Sequence, residues 1–465
     1  MKPLRVARLW VCISTLLVLV ALAAQAGGPL IVGGGPPPGF GVAGLPFRWN
    51  INPVTYWTDQ QNLGLLDNAS ADTLVQQAFQ IWQDVPTATI TFSAAGELGA
   101  DVTSANVLSV VSDLQDCNTG LTTAARDRSI IYDVDGSIVQ ALGSDPSMVI
   151  GFASVVCITT DGVSLNSFTR GLAVLNGRFI DGVTNPPFNP EITQAEFQAV
   201  FIHEFGHLIG LDHSQINLNC LIGPSCTADD LEGVPTMFPV LVSVAMATLS
   251  TDDMAAVSEL YPDPSFATTT GRIQGRIFFS DGTTPAQGYN VIARQVDDPL
   301  TPENESRRIA VSSVSGFRFT ACVGNPVTPP PFNDCGTSIT SFGSRDQTLI
   351  GFYDIPGLPA GNYTVEVEAI HNSSPNPFVD GSSVGPIGNL GFQFPLPLGT
   401  PPELWDALES DTDNPADSTP LVVTANSTLT GINIILNNTP PGLDAWETAW
   451  MRLLREFWAH GWMTG

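Results

Sequence analysis

The chain has 465 residues, enough for two or three domains with separate cores. Only 13% of them are charged, yet the formal net charge is −28 and Lys2 is the single lysine, which makes nucleic acid and anionic membrane surfaces poor partners. The acidic balance instead suits a soluble surface rich in Ser, Thr and Asn.

The N-terminal segment, residues 1–26, carries Lys2, Arg5 and Arg8, then an apolar run, then Ala24-Gln25-Ala26. This is the pattern of a secretory signal peptide, so the mature protein is expected outside the cell. The apolar run is near the length that spans a bilayer, which leaves a retained anchor as the alternative. No later segment approaches that length, so no membrane span is expected after removal. Cys12 leaves with the signal, and six of the seven cysteines remain: Cys117, Cys157, Cys220, Cys226, Cys322 and Cys335. An even count after export suggests disulfides, and pairing of neighbours would join 117 with 157, 220 with 226 and 322 with 335 among the connectivities that six cysteines permit.

Residues 27–45 are Gly/Pro-rich without periodicity and read as a flexible lead-in. From Pro46 the pattern becomes globular. FRWNINPVTYWT reads as a strand and TATITFS as a second one. Between them, ASADTLVQQAFQIWQDV is an amphipathic helix with Leu74, Ala78, Ile81 and Trp82 on one face. Strand, helix, strand is an α/β opening. Apolar runs at Ser129–Tyr132, Met148–Cys157 and Gly171–Ile180 extend the sheet, and ITQAEFQAVFIHEFGHLIG reads as a long helix with Thr193 and Glu196 spaced as a capping box.

HEFGHLIGLDHS, at 203–214, holds three of the five histidines. Residues four apart share a helix face, so His203 and His207 can aim at one point. Gly210 can adopt φ > 0 and stop the helix, which brings His213 within reach as a third ligand. Three neutral imidazoles on Zn²⁺ leave a fourth position for water, and Glu204 stands ready as general base and then as acid to the leaving amine. Satisfied core histidines and a structural zinc are the alternatives, but structural zinc sites prefer closed, cysteine-rich shells.

This motif resembles that of the metzincins, specifically the matrixins, in which a serine also follows the third histidine. PTMFP with Met237 is similar to the family's Met-turn beneath the zinc, though an ordinary core methionine would also fit. LSTDDMAAVSELYP, with Asp252 and Asp253, is similar to the final helix, where acidic residues also simply suit a helix N-terminus. The resemblance covers residues 46–264 as a catalytic domain. It implies an α+β zincin-like (metzincin) fold with a twisted mixed sheet and an active-site helix. It also implies peptide substrates laid antiparallel to an edge strand, which maps onto Gly171–Asn176, and an apolar pocket wall at Pro239–Val244.

The chain departs from the family in two ways. No cysteine after the signal precedes the catalytic region, so a cysteine switch is absent, and His371 and His460 lie beyond that region, which implies one zinc per chain. Structural Ca²⁺ is an open question at the oxygen-rich turns holding Asp133, Asp135 and Asp181, because Asp and Gly in turns need no metal.

After Tyr261-Pro262 come short alternating strands: GRIQGRIFF, GYNVIARQV, GFYDIPGLPAGNYTVEVEAI and STLTGINIIL. They predict an all-β sandwich over 268–440 with a loop insertion near 371–420, and they resemble carboxypeptidase-regulatory-like or transthyretin-like modules. Residues 441–465 read as a Trp-rich amphipathic helix, expected to dock either on its own protein or on a partner or membrane surface. The combined expectation is a secreted zinc endopeptidase acting on protein or peptide substrates, extracellular-matrix or surface proteins among them. The alternative is a surface adhesion protein with a vestigial metalloprotease domain.

Overall fold

A computed structural model describes residues 28–33, 41–42, 44–159, 166–184, 191–214, 216–217, 227–286, 288–302, 304–318, 347–369, 403–409 and 418–437. The expected signal peptide, much of the lead-in, Cys220, Cys226, Cys322, Cys335, His371, His460, most of the 371–420 insertion and the segment 441–465 lie outside the described residues.

Five strands build the first sheet: β1 (Val54–Thr58), β2 (Phe92–Glu97), β3 (Arg128–Asp133), β4 (Gly151–Ile158) and β5 (Phe168–Asn176), in the order β2-β1-β3-β5-β4. The first three and β5 run parallel, while β4 returns antiparallel to β5 at one edge. Parallel neighbours need crossovers, and helices α1 (Asn68–Gln83) and α2 (Val107–Gln115) lie in the two that link β1 to β2 and β2 to β3. Asp67 caps α1 by accepting from the Ser70 amide at 2.8 Å, and the helix buries Leu74, Ala78, Phe79 and Trp82. The sequence reading passed over α2, although Val107, Val110, Val111 and Leu114 mark its buried face at helical spacing.

Two expectations are corrected. The second strand begins at Phe92, five residues later than TATITFS suggests, because the preceding residues bond elsewhere: the Thr89 amide donates to the Tyr261 carbonyl and the Asp263 amide to the Thr87 carbonyl. Gly171–Asn176 is interior, with β3 and β4 occupying both its edges, so among the described residues the edge strand on that side of the sheet is β4.

Helix α3 (Ser137–Ala141) is short, and α4 (Gln194–Leu208) carries the histidines. Thr193 and Glu196 form the capping box at its start. α4 packs on α1 and β4, with the Phe79 and Phe205 rings stacked at 4.0 Å between centroids. Next come α5 (Ala228–Glu232), α6 (Thr251–Leu260) and α7 (Pro264–Thr269).

Beyond α7 lie two β-sheets. In one, β7 (Tyr289–Gln295) pairs antiparallel with β8 (Ala310–Val314) and with β10 (Gly361–Ala369). In the other, β6 (Gly271–Phe278) runs antiparallel to β9 (Phe352–Leu358) and parallel to two short strands, Thr428–Leu429 and Ile434–Ile435. Both sheets bury one core that includes Ile273, Ile277, Val291, Tyr353 and Val365. The sequence reading missed β8, whose residues AVSSV lack a polar face because they are buried on both sides.

Candidate active site

The rings of His203 and His207 sit one turn apart on α4, 4.8 Å between centroids. Ile209 caps the helix and Gly210 takes φ +99°, where a Cβ would also lie 2.5 Å from the Phe168 ring. The chain reverses there, and His213 Nε2 arrives 3.0 Å from His207 Nε2 and 3.2 Å from His203 Nε2.

The reversal is held by groups remote in sequence. Trp49 Nε1 donates to the Leu208 carbonyl at 2.8 Å and the Tyr261 hydroxyl to the Ile209 carbonyl at 2.7 Å. The Leu30 amide donates to the Gly210 carbonyl at 2.7 Å, and Pro29 bridges to Leu211. Carbonyls left over at a helix end are thus satisfied in turn. Part of the Gly/Pro-rich lead-in is therefore pinned to the motif, through backbone atoms that leave no trace in side-chain periodicity.

His203 Nδ1 contacts the Thr236 carbonyl at 2.8 Å and His207 Nδ1 the Leu211 carbonyl at 2.9 Å. A carbonyl only accepts, so each ring carries its proton on Nδ1 and presents an Nε2 lone pair. Two such lone pairs converge on a third imidazole nitrogen that can donate to only one of them, which leaves a position suited to a cation. Zn–N bonds of about 2.0–2.1 Å in a tetrahedron set ligand nitrogens about 3.4 Å apart, close to the spacing found. Burial also keeps the imidazoles neutral, the form that ligates. It pushes His203 down to about 4 and His207 down to about 3, and it holds His213 well below the usual histidine range, with repulsion from neighbouring histidines adding to the last two. Among the described residues these three form the one His/Cys/Asp/Glu cluster that fits a metal ion.

Glu204 is buried beside them. Desolvation pushes its carboxyl up to about 8, and a hydrogen bond from the Ala153 backbone on β4 works against that rise. The field of a bound dication would lower it. Gly151, also on β4, closes over the same side chain: a Cβ there would sit 3.2 Å from Glu204 Cγ. The carboxyl thus lies against β4, an edge strand of the sheet among the described residues.

Met237 is fully buried beneath α4. Gly206 admits it, since a Cβ at that position would fall 2.1 Å from Met237 Sδ. Asp253, on α6, accepts from the amides of Thr236 at 2.8 Å, Met237 at 3.0 Å and Ser250 at 2.8 Å. The Ser214 amide donates to the Met237 carbonyl at 2.7 Å. Asp253 therefore sets the carbonyl that orients His203. The sequence alone assigns no contact with the histidine motif to Thr236, Trp49, Tyr261 or Ala153, because each of these four contacts runs to or from a backbone atom.

The other sequence candidates fall away from the site. Asp133 spends its two oxygens on the amides of Gly136 and Val139 at the start of α3. Asp135 accepts from the Ser137 amide and Asp181 from the Val183 amide. These are turn and cap bonds, and Ca²⁺ is not supported there. Cys117 and Cys157 are joined in a disulfide with Cα atoms 5.7 Å apart, tying the end of α2 to β4.

A family model described as Matrixin matches residues 48–262, which supports a matrixin-type metalloprotease domain of mixed α+β fold with zinc as its metal. No curated protein matches the chain.

Proposed function

We propose that the protein is a secreted zinc-dependent endopeptidase, with His203, His207 and His213 as metal ligands and Glu204 as general base. The observation that carries this reading is the convergence of three Nε2 atoms beside a buried carboxyl at an open sheet edge. When bound, zinc supplies Lewis acidity, lowering the pKa of a water and polarising the scissile carbonyl. A substrate strand adds antiparallel to β4, taking affinity from main-chain hydrogen bonds and specificity from side-chain pockets. Ala153 places Glu204 against that strand. Glu204 takes the proton released as water attacks the carbonyl carbon, then delivers it to the amide nitrogen as the C–N bond breaks, so the carboxylate is regenerated. Leu241 and Val242, half-buried after the Met-turn, give the pocket beyond the scissile bond an apolar wall.

The β-rich region, read as a carboxypeptidase-regulatory-like sandwich, accompanies the peptidase. The Cys117–Cys157 disulfide suits an exported protein. An adhesion protein with a vestigial site has no use for a buried carboxyl beside a metal position.

Replacing Glu204 with Ala separates the two readings. Zinc content should persist while hydrolysis of an unfolded protein falls by about 10²–10⁴-fold, the range for loss of a general acid–base group. Unchanged proteolysis by the Glu204→Ala protein would rule out the enzyme reading. Profiling cleavage on a peptide library with and without a chelator tests zinc dependence and the apolar pocket together.

A further inference from the structure

The turn that delivers His213 comes to rest on the β-rich half. Ile216 is 1% exposed and packs with Ile292 of β7 and Ala310 of β8. Asn217, also 1% exposed, takes φ +60°, and its Oδ1 accepts from Arg294 Nη1 of β7 at 3.1 Å. Its Nδ2 donates to the Asp230 carbonyl at 3.3 Å, and the Asp230 carboxylate meets Arg307 Nε at 3.1 Å. On β8, Ser312 donates to the Asp252 carboxylate from its amide at 2.8 Å and from its hydroxyl at 3.1 Å. Asp252 adjoins Asp253, which clamps Thr236 and Met237.

Strand alternation explains how one surface does this. Val291, Ala293 and Val311 face the core shared by the two sheets, while Ile292, Arg294, Ala310 and Ser312 face the other way, against the histidine turn and α6. A sheet face directed to solvent would be polar and exposed, but here every residue of β8 is buried.

His213 is the ligand that needs such support. The Nδ1 atoms of His203 and His207 are anchored on carbonyls, whereas buried His213 Nδ1 meets no hydrogen-bond partner among the described residues. Its ring has no Nδ1 anchor to aim it, so its backbone carries more of that task, and that backbone is held at Ser214 by Met237 and at 216–217 by β7 and β8.

We propose that the outward face of the β7–β8 pair is part of the metal site, with Arg294 and Ser312 as positioning residues: Arg294 through Asn217 for His213, and Ser312 through α6 for the Met-turn. This rests on the zinc-peptidase reading, but its test does not depend on proteolysis.

In the full-length protein, Asn217→Gly keeps the left-handed backbone and removes the acceptor for Arg294, while Asn217→Asp retains an acceptor. Zinc affinity is measured by competition with a chromophoric chelator, and ligand geometry by the visible spectrum of the cobalt(II) form. Asn217→Gly should weaken zinc binding by about tenfold, the scale on which groups supporting a metal ligand act, and shift the cobalt bands. Asn217→Asp should recover most of both. Should Asn217→Gly fail to fold, Ile292→Val, one methylene smaller under Ile216, carries the same expectation with a smaller shift. Wild-type zinc affinity and cobalt spectrum in a folded Asn217→Gly protein would overturn the proposal, as would equal losses in the Gly and Asp variants. A wild-type protein that binds zinc through the histidines but cleaves nothing would sink the peptidase reading while leaving this one decided by the binding data.

Discussion

Two sets of carboxylates, one in the β-rich half and one around the histidines, are stabilised by different means. In the first, the partners are arginines: Asp354 meets Arg272 at 2.6 Å and Arg318 at 3.2 Å, and Glu366 pairs with Arg294. Around the histidines, Asp253 and Glu204 face backbone amides. Asp253 accepts from three and Glu204 takes one from Ala153, and neither has an ion pair among the described residues. An arginine partner would hold a carboxylate ionised and make it a weak base. Amides and neutral imidazoles leave Glu204 its affinity for a proton, so the perturbed carboxyl sits where the chemistry needs it.

The largest effect expected from this contrast is at Asp253. Asp253→Ala leaves the amides of Thr236, Met237 and Ser250 without their acceptor in a buried setting, at a cost of about 3–5 kcal/mol. Asp354→Asn, in the other half, should cost about 1 kcal/mol, since Arg272 still reaches Glu259 at 2.5 Å and both arginines are partly exposed. Chemical denaturation of the two variants measures the difference. Equal losses would mean that amide-held and arginine-paired carboxylates are interchangeable here.

Gly210 tests the turn between the ligands. Gly210→Ala must hold a side chain at φ +99° and place its Cβ against Phe168, for about 2–4 kcal/mol of destabilisation. Zinc affinity should fall with it, because His213 depends on that reversal. A Gly210→Ala protein with wild-type melting temperature and zinc affinity would show that the turn is not what positions the third ligand.

The same contrast separates what was legible in the sequence from what was not. His203, Glu204, His207, Gly210 and His213 lie within one short stretch, where helix periodicity and one glycine fix their relation. α1, β3 and the capping box at Thr193 were readable for the same local reason. The groups that support the site are remote or lie in the backbone: the carbonyls of Thr236 and Leu211, the Ala153 amide, Trp49 and Tyr261 on the helix end. Backbone amides and carbonyls carry no residue-type signal, and Trp49 and Tyr261 lie far from the motif in sequence. β8 escaped because both its faces are buried, so the alternation that marks a half-exposed strand is missing. The edge strand was misplaced for a topological reason. Sequence proximity to α4 favoured Gly171–Asn176, but the antiparallel return of β4 puts that strand inside the sheet.

The most gradual effect, spread over several pH units, is a pH dependence, and it isolates Glu204 itself. In the zinc-free protein the carboxyl is pushed up to about 8 by burial, from an ordinary value of 4.5 in the unfolded chain. The folded state therefore keeps a proton that the unfolded state gives up. This contribution to stability is fully present below about 4.5 and drains away as pH rises toward about 8. Gln in its place has no proton to lose. The stability of Glu204→Gln relative to wild type should thus climb with pH across that window, by on the order of 1 kcal/mol per pH unit at most. The three histidines also titrate there, with folded values depressed so that stability falls as pH drops. They are common to both proteins and cancel in the difference. With zinc bound, the metal's field lowers the Glu204 carboxyl and the slope should flatten. A flat difference in the zinc-free pair would place Glu204 in contact with water rather than buried against β4, and would remove it from the amide-held class on which the comparison rests.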